Sequence, residues 1–151
     1  MSDNFTIRKG THSDLSFLIE SITLMVQETE KHVVNQKVIS KGVNSILSTP
    51  RNGFYIISEL NDQPIGSLQV SALWQDLVAG CYWWVQSLHV RESYRKRGCC
   101  RAMLNYVFLQ AENEENVRGV RLLTHNQNEN ASQVLREYGF VETPYRMMQK
   151  T

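Results

Sequence analysis

Hydrophobic and polar positions change period several times along the chain, and each change marks an element. In FTIRKG, Phe5 and Ile7 alternate with polar neighbours, the pattern of a short strand. THSD then offers a helix cap at Thr11 or Ser13, with Asp14 suited to the first turn. Leu15, Leu18, Ile19, Ile22, Met25 and Val26 follow at helical spacing, and the predicted helix ends in the polar run QETEKH. A second amphipathic helix fits Val38 to Leu47, closed by STPRNG. From Gly53 the period drops to two: GFYIISEL, a turn at NDQP, and IGSLQVSAL predict an antiparallel hairpin.

After WQDLVAG, the apolar and aromatic run from Cys81 to Val90 suits a central strand buried on both faces. RESYRKRGCC reads as a loop, and Arg101 to Glu112 as a helix with Met103, Leu104, Val107, Phe108 and Ala111 inward. VRGVRLLTH predicts a strand, NENASQVLREY a helix stopped by Gly139, and FVETPYRMMQK a last strand or two. The predicted order is β-α-α-β-β-β-α-β-α-β: an α/β fold with a mixed central sheet flanked by helices. With 151 residues and neither repeat nor linker, residues 1–151 are expected to form a single domain.

Composition narrows the function classes. A net charge of +1 gives no global field for DNA, RNA or an anionic membrane, so no nucleic acid is expected as a partner. The N-terminus carries no apolar leader, and no run approaches the ~18 residues of a membrane span. The three cysteines, Cys81, Cys99 and Cys100, lack metal-ligand spacing, so no metal is expected and the thiols are expected to be reduced. Together these features predict a cytoplasmic protein that does not engage a membrane.

One stretch concentrates chemistry. Arg95, Lys96, Arg97, Gly98, Cys99, Cys100 and Arg101 join a central strand to a helix. A helix N-terminus offers free N–H groups and partial positive charge, and a glycine beside it lets an anion approach the backbone. The four cations add long-range attraction and contacts to phosphate. Cys99, among cations near a helix N-terminus, is expected to have a lowered thiol pKa.

LHVRESYRKRGCCRAML resembles the acyl-CoA-binding motif of the GNAT superfamily of N-acetyltransferases, Q/R-x-x-G-x-G/A, here Arg95-x-x-Gly98-x-Cys100. NENASQVLREYGF resembles the family pattern N-x-x-A-x-x-x-Y-x-x-x-G-F at Asn128, Ala131, Gly139 and Phe140. The resemblance implies an acyl-CoA-dependent N-acetyltransferase, with acetyl-CoA as co-substrate and no metal. It also implies a V-shaped opening between the central strand and the strand at 121–124. Leu88, His89 and Val90 would pair through their backbone with the pantetheine arm, amides from Lys96 to Arg101 would hold the pyrophosphate, and Asn128 would reach the pantetheine. Two positions depart from the family pattern: Cys100 replaces Gly or Ala, and Leu135 replaces the tyrosine that many members use to protonate the thiolate. Tyr138, one turn on, is the remaining candidate acid. An acyl-CoA-binding sensor that has lost turnover is the alternative that Leu135 supports. Family members are often dimers, so a homodimer is the implied assembly.

The acceptor side is read from acids and aromatics. Glu28 and Glu30, at the end of the first helix, are candidates to attract a cationic amine, and Glu28 to take its proton. Trp74 beside Asp76 suits an ammonium group. Gln86, polar within an aromatic strand, is a candidate to fix a water or substrate. This acidic set favours a small cationic amine or polyamine as acceptor, with a peptide amine as the other option. His12, His32 and His125 show no partner pattern and receive no role.

Overall fold

A computed structural model describes residues 3–29, 33–125 and 129–151. Its elements are β1 (Thr6–Lys9), α1 (Leu15–Thr29), α2 (Gln36–Ser48), β2 (Phe54–Leu60), β3 (Gln63–Gln75), β4 (Gly80–Val90), α3 (Cys99–Glu112), β5 (Val117–Leu122) and α4 (Glu129–Glu137). The strands form one sheet in the order β1-β2-β3-β4-β5. All neighbours are antiparallel except β4 and β5, which are parallel and joined through α3.

Local chemistry explains the elements. Arg8 on β1 donates two hydrogen bonds of 2.8 Å to the buried Asp14 carboxylate, which also accepts from the Thr11 N–H at 2.8 Å. These bonds fix the entry into α1. Asn35 caps α2, its side chain accepting from Lys37 N–H at 2.9 Å. The β2–β3 hairpin turns on Asn61 and Asp62, both at positive φ (52° and 62°), the conformation that twists a two-residue turn with its strands.

Strand alternation divides the core. Tyr55 and Ile57 of β2 point to α1 and α2, where they pack with Phe17, Leu18 and Val43. Ile56 points to the other face and joins Leu68, Val70, Trp83 and Val85 against Met103, Leu104 and Val107 of α3. Leu135 of α4 belongs to that second cluster.

Two expectations need correction. Residues 140–151 form no strand: Val141, Met147 and Met148 are exposed, and Pro144 removes a ladder donor in mid-segment. β4 is also not buried on both faces. Trp83 and Val85 face the α3 core, but Tyr82 and Trp84 on the α1 side are only partly covered, and Gln86 is exposed. α1 meets the end of β4, where Glu28 lies beside His89, and leaves the stretch from Tyr82 to Gln86 less covered.

Candidate active site

The parallel pairing of β4 with β5 runs from Cys81↔Val117 to Val85↔Leu122 and stops there. At that point β4 deforms: Ser87 adopts φ 53°, and the register with β3 shifts between Ser67 and Gln69. Beyond the bulge β4 stays paired to β3, with Ser67↔His89 and Gly66↔Val90. Its other edge, along Leu88, His89 and Val90, has no strand beside it among the described residues. An extended amide-bearing chain can add to such an edge as a further strand. The pairing of β4 with β5 thus ends where the family resemblance implied an opening between the two strands.

The loop after β4 leads into the first turn of α3. Lys96 (φ 61°) and Gly98 (φ 91°) are both left-handed, and α3 begins at Cys99. Left-handed residues alternating with right-handed ones point successive N–H groups into one concavity, which suits an anion. A Cβ built on Gly98 meets nothing within 4 Å, so the space in front of the loop is free. The α3 N-terminus behind the loop adds free N–H groups and partial positive charge, so the chemistry on offer is that of an anion site.

The loop's side chains are largely engaged with the protein. Arg95 donates from Nε to the Val90 carbonyl at 2.8 Å and from Nη2 to Glu28 at 2.8 and 3.0 Å. Arg97 pairs with Asp3 at 2.5 and 3.0 Å and covers the Tyr94 ring. Arg101 lies over the Tyr138 ring, 5.6 Å from its centroid. Lys96 has no hydrogen bond or ion pair to a described residue and is the loop cation most available to a phosphate.

His89 completes the contact between α1 and β4. Its ring is 5% exposed, with Nε2 accepting from Arg95 Nη2 at 3.2 Å and lying 3.6 Å from Glu28 Oε1. Burial pushes its pKa down, against the opposing pull of the Glu28 carboxylate. Burial thus disfavours the charged ring, and because Nε2 accepts from Arg95 the proton of the neutral form sits on Nδ1, which is buried and has no partner.

The expectation for Cys99 is overturned. Burial pushes its thiol pKa up, and pushes that of Cys100 to about 11. Loss of water around each sulfur is the largest influence on it, so neither side chain is a ready nucleophile. Burial also raises the Tyr138 hydroxyl above its usual value. Tyr138 packs at the N-terminal end of α3, next to Arg101 and Cys100.

On the α1 side of the sheet, Tyr82, Trp84 and Gln86 line β4 up to the bulge. Arg121 of β5 stands opposite Trp84, with its guanidinium 3.7 Å from the Tyr82 ring centroid. Trp74 and Asp76 lie at the far end of β3, in a groove of about 600 Å³ shared with Gln75, Leu77, Arg121 and Tyr145. The structure thus brings Glu28 to the cofactor loop and sets Asp76 apart from it, with Arg121. Glu30, His32 and Asn128 lie outside the described residues. Sequence reasoning missed Arg121 and Tyr145. The alternation Val120, Arg121, Leu122 gave a usable signal, since it sends Arg121 to the face opposite the core.

Comparison with known proteins agrees with this geometry. The model of the acetyltransferase (GNAT) family matches residues 20–140. A possible acetyltransferase from Clostridium difficile 630 superposes with a TM-score of 0.91 at 26% identity, covering 97% of each chain. A predicted acetyltransferase from Clostridium acetobutylicum, solved with acetyl-CoA, gives 0.78 at 18% identity over 97% of this chain and 96% of that one. The aminoglycoside N-acetyltransferase AAC(6')-Iy in complex with CoA gives 0.80 at 18% identity, over 100% and 97%. No curated protein matches the chain. A free strand edge and a left-handed loop at a helix N-terminus sit side by side, and the family match covers most of the chain. The chain belongs to the acetyltransferase (GNAT) family and is an acetyl-CoA-dependent N-acetyltransferase.

Proposed function

We propose that the protein moves an acetyl group from acetyl-CoA to a primary amine by direct attack in a ternary complex. The observation that carries this reading is the free edge of β4 beyond Ser87, contiguous with the left-handed loop at Lys96 and Gly98. Acetyl-CoA would lay its pantetheine along Leu88, His89 and Val90 and its pyrophosphate on the amides from Lys96 to Arg101. Asn128 is assigned to the pantetheine by its motif. The amine nitrogen attacks the thioester carbonyl, the new C–N bond replaces the C–S bond, and the proton lost by nitrogen ends on the thiolate of CoA. Holding the two reactants together supplies several kcal/mol of the barrier reduction.

The side-chain roles follow from position. Gln86, exposed at the bulge, orients the amine or a water beside it. Glu28, fixed by Arg95, draws the amine proton away through water. Tyr138 is kept protonated and is assigned as donor to the leaving thiolate. The polyamine preference rested on Glu28, Glu30 and Asp76; with Glu28 spent on Arg95, that preference loses its strongest member.

We assign the enzyme to the cytoplasm, in keeping with its three free cysteines, and to a homodimer, which light scattering would test. A second reading, an acyl-CoA sensor with weak turnover, is favoured by one observation: Leu135, at the usual tyrosine position, is packed in the core. Calorimetric titration with acetyl-CoA, followed by thiol release against a panel of amines, separates the two. Binding with amine-dependent release supports the transferase, binding alone supports the sensor, and no binding sinks both.

A further inference from the structure

The groove at the far end of β3 contains a cation packed among aromatic rings. Arg121 makes no hydrogen bond or ion pair to a described residue. Its contacts are aromatic: Tyr82 at 3.7 Å, and Trp84 and Tyr145 each at 5.9 Å from the ring centroids. The arrangement is built into the sheet. Gly119 stands opposite Tyr82, and a Cβ there would meet the Tyr82 ring at 3.2 and 3.3 Å. The absence of a side chain at 119 is what leaves the phenol ring room to lie against β5, where Arg121 stacks on it. A guanidinium held by its faces keeps its in-plane N–H fork free, and that fork matches a carboxylate.

We propose that this groove reads a carboxylate on the acceptor, so that the substrate is an amine carrying its own carboxylate, as at the two ends of a short peptide. The inference rests on the transferase reading above and names its acceptor class. Three observations support it. First, Asp76 lines the same groove. Its negative charge adds a repulsion that grows with the charge of the ligand, so a monoanionic carboxylate suits the Arg121 fork better than a dianionic phosphate. Second, the spacing fits. Arg121 lies over Trp84 and Tyr82, two and four residues before Gln86, the residue assigned above to the amine. At about 3.3 Å per residue that is about 7–13 Å, the separation of amine and carboxylate in an extended di- to tetrapeptide. Third, Trp74 (61% exposed) and Leu77 (88% exposed) give the groove apolar walls for a C-terminal aliphatic side chain. A polyamine would meet a fixed cation here and is disfavoured.

The test compares Gly-Gly-Leu with its C-terminal amide, which share the same amine and shape but differ in charge. The acid should be acetylated with kcat/KM at least about tenfold above the amide, the worth of a charge-assisted hydrogen-bonded pair. Arg121→Gln should collapse that ratio towards one, and Arg121→Lys should leave it intermediate. In parallel, N-acetyl-Gly-Gly-Leu and its amide are titrated calorimetrically into CoA-saturated protein, which decides the matter even without turnover. A wild-type ratio near one, in rates where there is turnover and otherwise in affinities, overturns the proposal. So does a ratio that survives in both Arg121 variants. Acetyl-CoA affinity, measured separately on each variant, reports on folding, and its absence in the wild type would instead defeat the transferase reading.

Discussion

Arg95 Nη2 lies 2.8 Å from Glu28 Oε2 while its Nε lies 2.8 Å from the Val90 carbonyl, so one side chain ties α1, the end of β4 and the cofactor loop together. The ion pair is partly exposed and is worth less than about 1 kcal/mol. Arg95→Ala should therefore lower the melting temperature by no more than about 4 °C. The loop would then have to be ordered at binding, and the acetyl-CoA Kd should rise about three- to tenfold. Calorimetry together with a melting curve checks both numbers. An unchanged Kd would show that the loop keeps its shape without this anchor.

Gly98 separates strain from occupancy. Its φ of 91° costs a β-branched residue about 1–2 kcal/mol, yet its Cβ direction is empty. Gly98→Val should thus fold, melt a few degrees lower, and lose acetyl-CoA affinity by at least about tenfold, because the new methyl groups occupy the anion's space. Retained affinity would remove the pyrophosphate from this loop.

Leu135→Tyr restores the family's usual residue in the sequence but not in space. Leu135 is 9% exposed and packed with the α3 cluster. A tyrosine there overpacks the core and should destabilise the protein by about 1–3 kcal/mol. Denaturant unfolding reads the loss directly, and a gain in kcat without it would show that α4 rotates to free the ring.

His89 gives a pH signature with a defined sign. Burial depresses its native pKa below the 6.5 of the unfolded chain. As pH falls through about 6.5, the unfolded chain takes up a proton that the native ring refuses. Stability from this source is present above pH 6.5 and is lost as pH falls towards the native value. Melting temperature should fall over this range in the wild type and fall less steeply in His89→Gln. Asp14, held down by Arg8, contributes stability that is present above its ordinary 3.8 and is lost in stronger acid, so its loss begins at lower pH than that of His89.

Most of the fold was legible because it depends on period. The helices at Leu15 and Val38 and the hairpin around Asn61 each follow from spacing that survives without tertiary contacts. The loop from Arg95 to Arg101 was legible because a glycine between a strand and a helix has few other uses. What failed depended on neighbours distant in sequence. The direction of the Cys99 thiol shift was set by burial under β3 and α3, not by the adjacent cations. Arg95 was read as a phosphate ligand, but Glu28, sixty-seven positions earlier, claims its guanidinium. The strand expected from Phe140 is the exception, since Pro144 within the segment was a local signal against it.

The bulge at Ser87 makes β4 two strands in effect. Residues before it carry the partly covered side chains of the open face; residues after it keep a free backbone edge, and the proposed function gives the first to the acceptor and the second to the acyl donor. The second half needs no particular side chains for its task, and the first needs no particular backbone pairing beyond Val85. Tyr82, Trp84 and their partner Arg121 are therefore open to replacement without disturbing the acyl donor's seat. A lineage built on this strand inherits its donor and is at liberty to change its acceptor.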